Sequence, residues 1–128
     1  MDSDGVSDVE DASGAALAAV TVRLVDRLSG VSATWLGARS ADGTATRAER
    51  LRELVVDLAE LGRRAGNGAP ADAVPAPLRP HGLADQITVL VDDIRHGSAE
   101  HEVLVAVLDE ATSAVQACYD ALWLTVLG

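Results

Sequence analysis

The sequence predicts an all-α fold, a bundle of four helices. In four separate stretches the apolar side chains recur at alternating steps of three and four residues, a spacing that keeps them on one face of a helix. Glycine, proline and helix-capping residues separate these stretches. The four rows are Leu17, Thr21, Leu24, Leu28, Val31 and Trp35; Leu51, Val55 and Leu58; Leu83, Ile87, Leu90 and Ile94; and Leu104, Leu108, Ala111, Val115, Cys118 and Leu122.

The first predicted helix spans residues 13–37. Ser13 can accept a hydrogen bond from a free amide in the first turn, and Gly37 together with residues 40–43 ends the helix. Gly30 interrupts the pattern. We expect this glycine to permit the close approach of a second helix or a mild bend, and not to end the helix.

Residues 1–12 carry five acidic side chains and no basic one. This segment is polar and rich in serine and glycine, so we expect an acidic flexible tail, disordered and solvated, ahead of a helical bundle domain over residues 13–128. A docking arm for a basic partner is the alternative. The five acids are Asp2, Asp4, Asp8, Glu10 and Asp11.

The second predicted helix spans residues 46–65. Thr46 and Glu49 have the spacing of a capping box, in which each side chain caps the backbone amide of the other, and Gly66 is a natural stop. The following Pro-rich linker, residues 66–81, holds all four prolines of the chain and cannot be helical. Its extended length of about 50 Å exceeds a helix of about 30 Å, so both an up-down connection and a crossover between helices two and three remain open.

The third and fourth predicted helices span residues 82–96 and 98–126. Gly97 ends the third and Ser98 caps the fourth, and this tight turn makes the two helices antiparallel. The fourth is apolar on more than one face. The residues expected in the core are Leu24, Leu28, Leu58, Leu90, Ile94, Leu108 and Val115.

Composition and charge exclude several classes of function. The net charge of −10 argues against binding to nucleic acid or to an anionic membrane, because both repel an acidic surface. The chain begins with acids where a secretory signal would be basic, and its strictly apolar runs, such as residues 103–108, are far too short to cross a bilayer. We therefore expect a cytoplasmic protein. All ten basic residues are arginine and phenylalanine is absent, a usage typical of a high-GC bacterium.

The sequence offers no support for catalysis. It contains no Gly-x-Ser-x-Gly motif and no phosphate-binding glycine loop, and its serines stand in caps and turns. The single cysteine, Cys118, lies in the last apolar row, which favours a small buried thiol over a redox group. We expect no enzyme and no cofactor.

One corner of the chain resembles a metal site in its residue types. Asp92, Asp93, His96, Glu100 and His101 lie between the third and fourth helices, and two of these residues are spaced to share a helical face with His96. The bundle proteins that bind two iron ions draw inward-pointing ligands from facing helices, whereas these groups belong to one exposed turn. We therefore expect a solvated acidic corner and no bound metal.

Two further groups admit a structural and a functional interpretation. Arg39, Arg47, Arg50 and Arg52 could grip a phosphate or a carboxylate, but acidic residues alternate with them, which favours a charged helix face.

Residues 35–37, Trp-Leu-Gly, form a turn that is similar to that of the small secreted hairpin proteins of type VII secretion. In those proteins a tyrosine is followed four residues later by an acid, whereas Tyr119 is followed by Trp123, and we assign no family. A buried aromatic side chain that closes one end of the bundle is the favoured interpretation.

The predicted function is interaction with another protein, either as a homo-oligomer, such as a homodimer, or as a small adaptor or regulator. The fourth helix is expected to supply the interface once its apolar row is packed, because further apolar side chains remain. The alternative is a bundle that binds an apolar small molecule or a metal ion. The predicted interface residues are Val103, Val107, Tyr119, Trp123 and Leu127.

Overall fold

The computed structural model describes residues 3–40, 45–66 and 82–123, with side chains from residue 9 onward. The regular secondary structure of these residues is helical, which confirms the predicted all-α class, and one isolated antiparallel bridge joins Arg39 and Thr46. No helix in the described ranges is both long enough and apolar enough to cross a membrane. The helices of these ranges are α1 (Ser3–Leu28), α2 (Ala33–Gly37), α3 (Arg47–Arg64), α4 (Leu83–Arg95) and α5 (His101–Trp123).

The four long helices pack around one aliphatic core. Helix α1 contacts α5 and α4, α3 contacts the same two helices, and the short α2 lies against α3. Six of the seven side chains predicted to form the core are buried, while the seventh, Leu90, is half-buried and packs against the core. The sequence pattern therefore identified the inward faces of all four long helices.

Helix α1 begins at Ser3, ten residues before the predicted start at Ser13. Residues 3–12 are thus helical where a disordered tail was predicted. Of the five acids, Asp4 lies in the first turn of this helix, where the helix dipole favours negative charge. The segment is also held to α5, because Nδ1 of His101 lies 2.7 Å from Oε2 of Glu10.

The first predicted helix is divided in the structure, and the expectation that it continues through Gly30 was wrong. Helix α1 ends at Leu28. The hydroxyl of Ser29 donates to the carbonyl oxygen of Asp26 (2.7 Å), and a tight turn follows. The hydroxyl of Ser32 then accepts from the amide of Trp35 (3.1 Å), which starts the new helix α2.

The boundaries of α3 follow the predicted signals closely. The hydroxyl of Thr46 accepts from the amide of Glu49 at 3.1 Å, and the helix ends at Arg64, one residue before the predicted end. Gly66 has a φ of 85°, the left-handed conformation that favours glycine after a helix. The remainder of the predicted Pro-rich linker, residues 67–81, lies outside the described residues, as do residues 124–126 of the fourth predicted helix.

The corner between α4 and α5 packs against the end of α3. The amide of Ala99 donates to the carbonyl oxygen of Ala65 (2.9 Å), and the hydroxyl of Ser98 donates to the carbonyl oxygen of Gly66 (2.9 Å). Ser98 was predicted to cap the fourth helix. In the structure its hydroxyl instead binds the end of α3, and α5 begins three residues later, at His101. These two hydrogen bonds join the corner before α5 to the end of α3.

Candidate interaction surface

The three aromatic residues Trp35, Tyr119 and Trp123 are the only phenylalanine, tyrosine or tryptophan residues of the chain, and they lie together. The rings of Trp35 and Trp123 stack with centroids 5.1 Å apart, and the ring of Tyr119 is tilted against that of Trp123 at 5.0 Å. The break after α1 makes this possible, because it places Trp35 on a separate helix that can face the end of α5. All three side chains are half-buried.

Two arginines from the last turns of α1 complete the cluster. The guanidinium carbons of Arg23 and Arg27 each lie 5.6 Å from the centroid of the Tyr119 ring, and that of Arg27 is also 4.9 Å from the Trp123 ring. Nη1 of Arg27 donates to the Tyr119 hydroxyl (2.9 Å), and Nη2 of Arg23 donates to Oε1 of Gln116 (3.0 Å). We call Arg23, Arg27, Trp35, Tyr119 and Trp123 the arginine–aromatic surface.

A third arginine, Arg47, packs on the ring of Trp35. The guanidinium carbon of Arg47 lies 4.2 Å from the centroid of a Trp35 ring. Its nitrogens donate to two carbonyl oxygens, that of Trp35 at 3.1 Å and that of Leu122 at 3.4 Å. Arg47 thereby ties α2 and α3 to the end of α5, and its role is to hold the surface in place.

Arg23 and Arg27 are held by aromatic rings and neutral hydrogen-bond acceptors. The chain carries 20 acidic residues and 10 basic ones, yet among the described residues neither arginine forms an ion pair with a carboxylate. Each guanidinium has five N–H groups and uses one of them in a hydrogen bond to a neutral acceptor within these residues. Both arginines are exposed, so their remaining donors face solvent.

The five predicted interface residues have different environments. Val107 is fully buried in the core, so it cannot contact another folded molecule and its assignment to the interface was wrong. Val103 is 43% exposed, and Tyr119 and Trp123 belong to the arginine–aromatic surface. Leu127 lies outside the described residues. Helix α5 packs against α3 as well as α1, so side chains beside its first apolar row, Val107 among them, are also buried.

The candidate metal ligands do not converge. Nδ1 of His96 lies 2.9 Å from the carbonyl oxygen and 3.3 Å from Oδ1 of Asp92, whereas His101 faces Glu10 on α1. Asp93 and Glu100 are exposed. Within the part of the chain that the structure describes, no group of three or more His, Cys, Asp or Glu side chains is arranged to hold a metal ion.

The predicted arginine cluster is spread over different roles. Arg47 lies on Trp35, and Nη1 of Arg50 pairs with Oε2 of Glu53 at 3.2 Å, one turn further along α3. Arg39 forms the bridge with Thr46, and Arg52 is an exposed residue of α3. The sequence interpretation overlooked Arg23 and Arg27. Their spacing of four residues, which matches the spacing of Tyr119 and Trp123, was the available signal.

Cys118 is buried and unreactive. Desolvation by burial raises the pKa of its thiol to about 12, Arg50 opposes this rise, and the carboxylates of Glu53 and Asp57 add to it. Only the thiolate is nucleophilic, so the protonated thiol of this cysteine has little reactivity at neutral pH. The predicted interpretation, a small apolar side chain in the last row, agrees with its 8% exposure.

An apolar cavity of about 340 Å³ lies where the α1–α2 turn meets the start of α4. Ser29 and Asp85 are its polar lining residues. Its volume falls at the lower end of the range that is typical of small-molecule sites. The apolar lining consists of Val25, Leu28, Val31, Ala33, Leu36 and Ala84.

Comparison of the chain with known protein families, with curated proteins and with solved structures gave no match.

Proposed function

We propose that this chain is a four-helix bundle that acts by binding a protein, either a second copy of itself or a different polypeptide, through the arginine–aromatic surface. One observation carries the proposal: the three aromatic side chains of the chain lie together, half-buried, with two exposed arginines over the rings of Tyr119 and Trp123. Tryptophan, tyrosine and arginine are the residues most enriched at the energetic centres of protein interfaces. A non-enzymatic role in the cytoplasm, away from nucleic acid and membranes, is part of this proposal.

The arrangement of the rings favours binding. Trp35 and Trp123 stack on each other, and Arg27 is hydrogen-bonded to the Tyr119 hydroxyl, so these side chains are already ordered in the unbound protein. Ordering a side chain on binding costs free energy, and a surface that is ordered beforehand avoids much of that cost. The exposed parts of these large rings then offer apolar contact area to a partner.

The test removes the two exposed charges and compares the result with a matched control. The Arg23→Gln/Arg27→Gln variant changes the surface, and the Arg52→Gln/Arg95→Gln variant removes the same charge from exposed positions on α3 and α4. We expect the first variant to weaken self-association, or retention of a host protein, about tenfold or more, and the control to match the wild type. Light scattering at micromolar concentration and affinity capture from the native host measure the two cases.

Two results would contradict the proposal. The first is a wild-type protein that stays monomeric and captures the same host proteins as the Arg23→Gln/Arg27→Gln variant. The other is an equal loss of binding in the control variant, which would indicate a non-specific effect of net charge.

A second candidate function, binding of an apolar small molecule, is favoured by the cavity beside the α1–α2 turn. Ala33 lines this cavity, whereas its exposed neighbour Thr34 does not, so phenylalanine substitutions at the two positions form a matched pair. We expect the neutral fluorescent probe N-phenyl-1-naphthylamine to bind the wild type and Thr34→Phe equally, and to bind Ala33→Phe about tenfold more weakly, because the new ring fills the cavity. The absence of saturable binding to the wild type would exclude this function.

A further inference from the structure

We infer that the segment which occupies the arginine–aromatic surface is an acidic segment of a partner protein. It places a carboxylate against Arg23 and Arg27 and an apolar side chain against the rings of Tyr119 and Trp123. This inference rests on the proposed function and identifies the chemistry of the partner.

Arg23 and Arg27 offer unused donors side by side at one ring, and this pairing points to a carboxylate. A guanidinium binds a carboxylate through two parallel hydrogen bonds, which are stronger than bonds to a neutral acceptor. Among the described residues Arg23 and Arg27 bond only to the amide oxygen of Gln116 and to the hydroxyl of Tyr119. The two guanidinium carbons lie at the same distance, 5.6 Å, from one ring, so one partner segment can reach both.

The surface is arranged so that the arginines keep their positions. Nε2 of Gln116 donates to Oδ1 of Asp120 at 2.9 Å, which orients the amide so that its oxygen accepts from Arg23. The Tyr119 hydroxyl accepts a hydrogen bond from Arg27 and so holds that side chain in place. Arginine loses less rotamer freedom on binding when its planar group is already held, and this increases the affinity for an anion.

The charge of the protein favours an acidic polypeptide over a nucleic acid. The arginine–aromatic surface presents two guanidinium groups on a chain with a net charge of −10, and these groups attract a carboxylate. Two carboxylates, those of Asp26 and Asp120, lie next to it in the sequence of α1 and α5. A polymer with a phosphate on every nucleotide would meet these acids, whereas a peptide with one or two carboxylates can avoid them.

Tryptophan fluorescence provides a direct test, because both tryptophans of the chain belong to the surface. The probe is a short, end-capped peptide of glutamate and leucine without aromatic residues, and its control has glutamine in place of glutamate. We expect the acidic peptide to change the tryptophan emission, to bind at least about tenfold more tightly than the neutral peptide, and to bind more weakly as salt rises from about 50 to about 300 mM.

Variants assign the effect to the two arginines. We expect Arg23→Gln/Arg27→Gln to lose binding of the acidic peptide and Arg52→Gln/Arg95→Gln to keep it. The Arg23→Lys/Arg27→Lys variant keeps both charges without the planar group and should retain part of the affinity. Calorimetric titration gives a second readout, and circular dichroism checks that each variant is folded.

Three results would overturn the inference. Equal binding of the neutral peptide would indicate an apolar partner and would leave the proposed function intact. Tighter binding of a short DNA duplex would indicate a nucleic-acid site. Failure of both peptides to bind would exclude an acidic segment. Failure of the proposed function has a different signature. In that case the wild type and Arg23→Gln/Arg27→Gln would give the same light scattering and capture the same host proteins.

Discussion

Val107→Glu is expected to abolish the folded state of this protein at neutral pH, whereas Val103→Glu, one helical turn earlier, is expected to leave it folded. Val107 is fully buried, and Val103 is 43% exposed. A carboxylate at position 107 would be ionised without a partner in an aliphatic core, at a cost of several kcal/mol. The total stability of a domain is about 5–15 kcal/mol, so a single change of this size can unfold it.

Thermal and urea unfolding, followed by circular dichroism, measure both variants. The Val103→Glu variant is the control, because it adds the same charge to the same helix at the surface. The expected difference should become smaller at acidic pH, since protonation of a buried glutamate removes the charge that destabilises the fold. Equal melting of the two variants would place Val107 at the surface and would restore it as an interface residue.

The environment of Val107 explains why the interface assignment from sequence was only partly useful. Helix α5 packs against α1 on one side and against α3 on the other, so its apolar sector is wider than one row. A second apolar row on a helix indicates either a central position or a contact with another molecule, and the sequence pattern alone does not distinguish them. For Val107 its complete burial within the bundle decides the question.

The sequence was most informative where local signals determine structure. The capping residue Thr46 and the end of α3 near Gly66 were placed within one residue, because these signals act over three or four residues. The start of α1 was missed by ten residues. Its first part is held by the contact of Glu10 with His101, which are 91 positions apart in the chain, and no local pattern contains that contact.

The candidate surface depends on long-range contacts for the same reason. Arg23 and Gln116 are 93 positions apart, and Arg27 and Tyr119 are 92 apart. The sequence interpretation identified Tyr119 and Trp123 as surface residues from the pattern of α5. It could not supply their partners, because the arginines reach them only after α1 has packed against α5 and has ended at Leu28.

The corner between α4 and α5 gives the second large expected effect, that of Gly97→Ala. A Cβ atom at this position would lie 2.7 Å from Cβ of Ala65, and closer still to the carbonyl oxygen of Ala65. That oxygen accepts the amide of Ala99, and Ala65 is fully buried, so the clash cannot be relieved by turning a surface side chain. The end of α3 and the corner must move apart, and we expect a loss of about 2–4 kcal/mol.

Gly37→Ala is the matched control for this prediction, because a Cβ atom there meets nothing within 4 Å. We expect this variant to be neutral or more stable by up to about 1 kcal/mol, since alanine favours the helical conformation over glycine. Gly97 does not have a positive φ, so alanine is compatible with its backbone and the loss measures the clash alone. Urea unfolding gives both free energies. If the two variants unfold at the same urea concentration, the corner does not pack against Ala65, and the position of α5 against α3 must be set by the apolar row from Leu104 to Leu122.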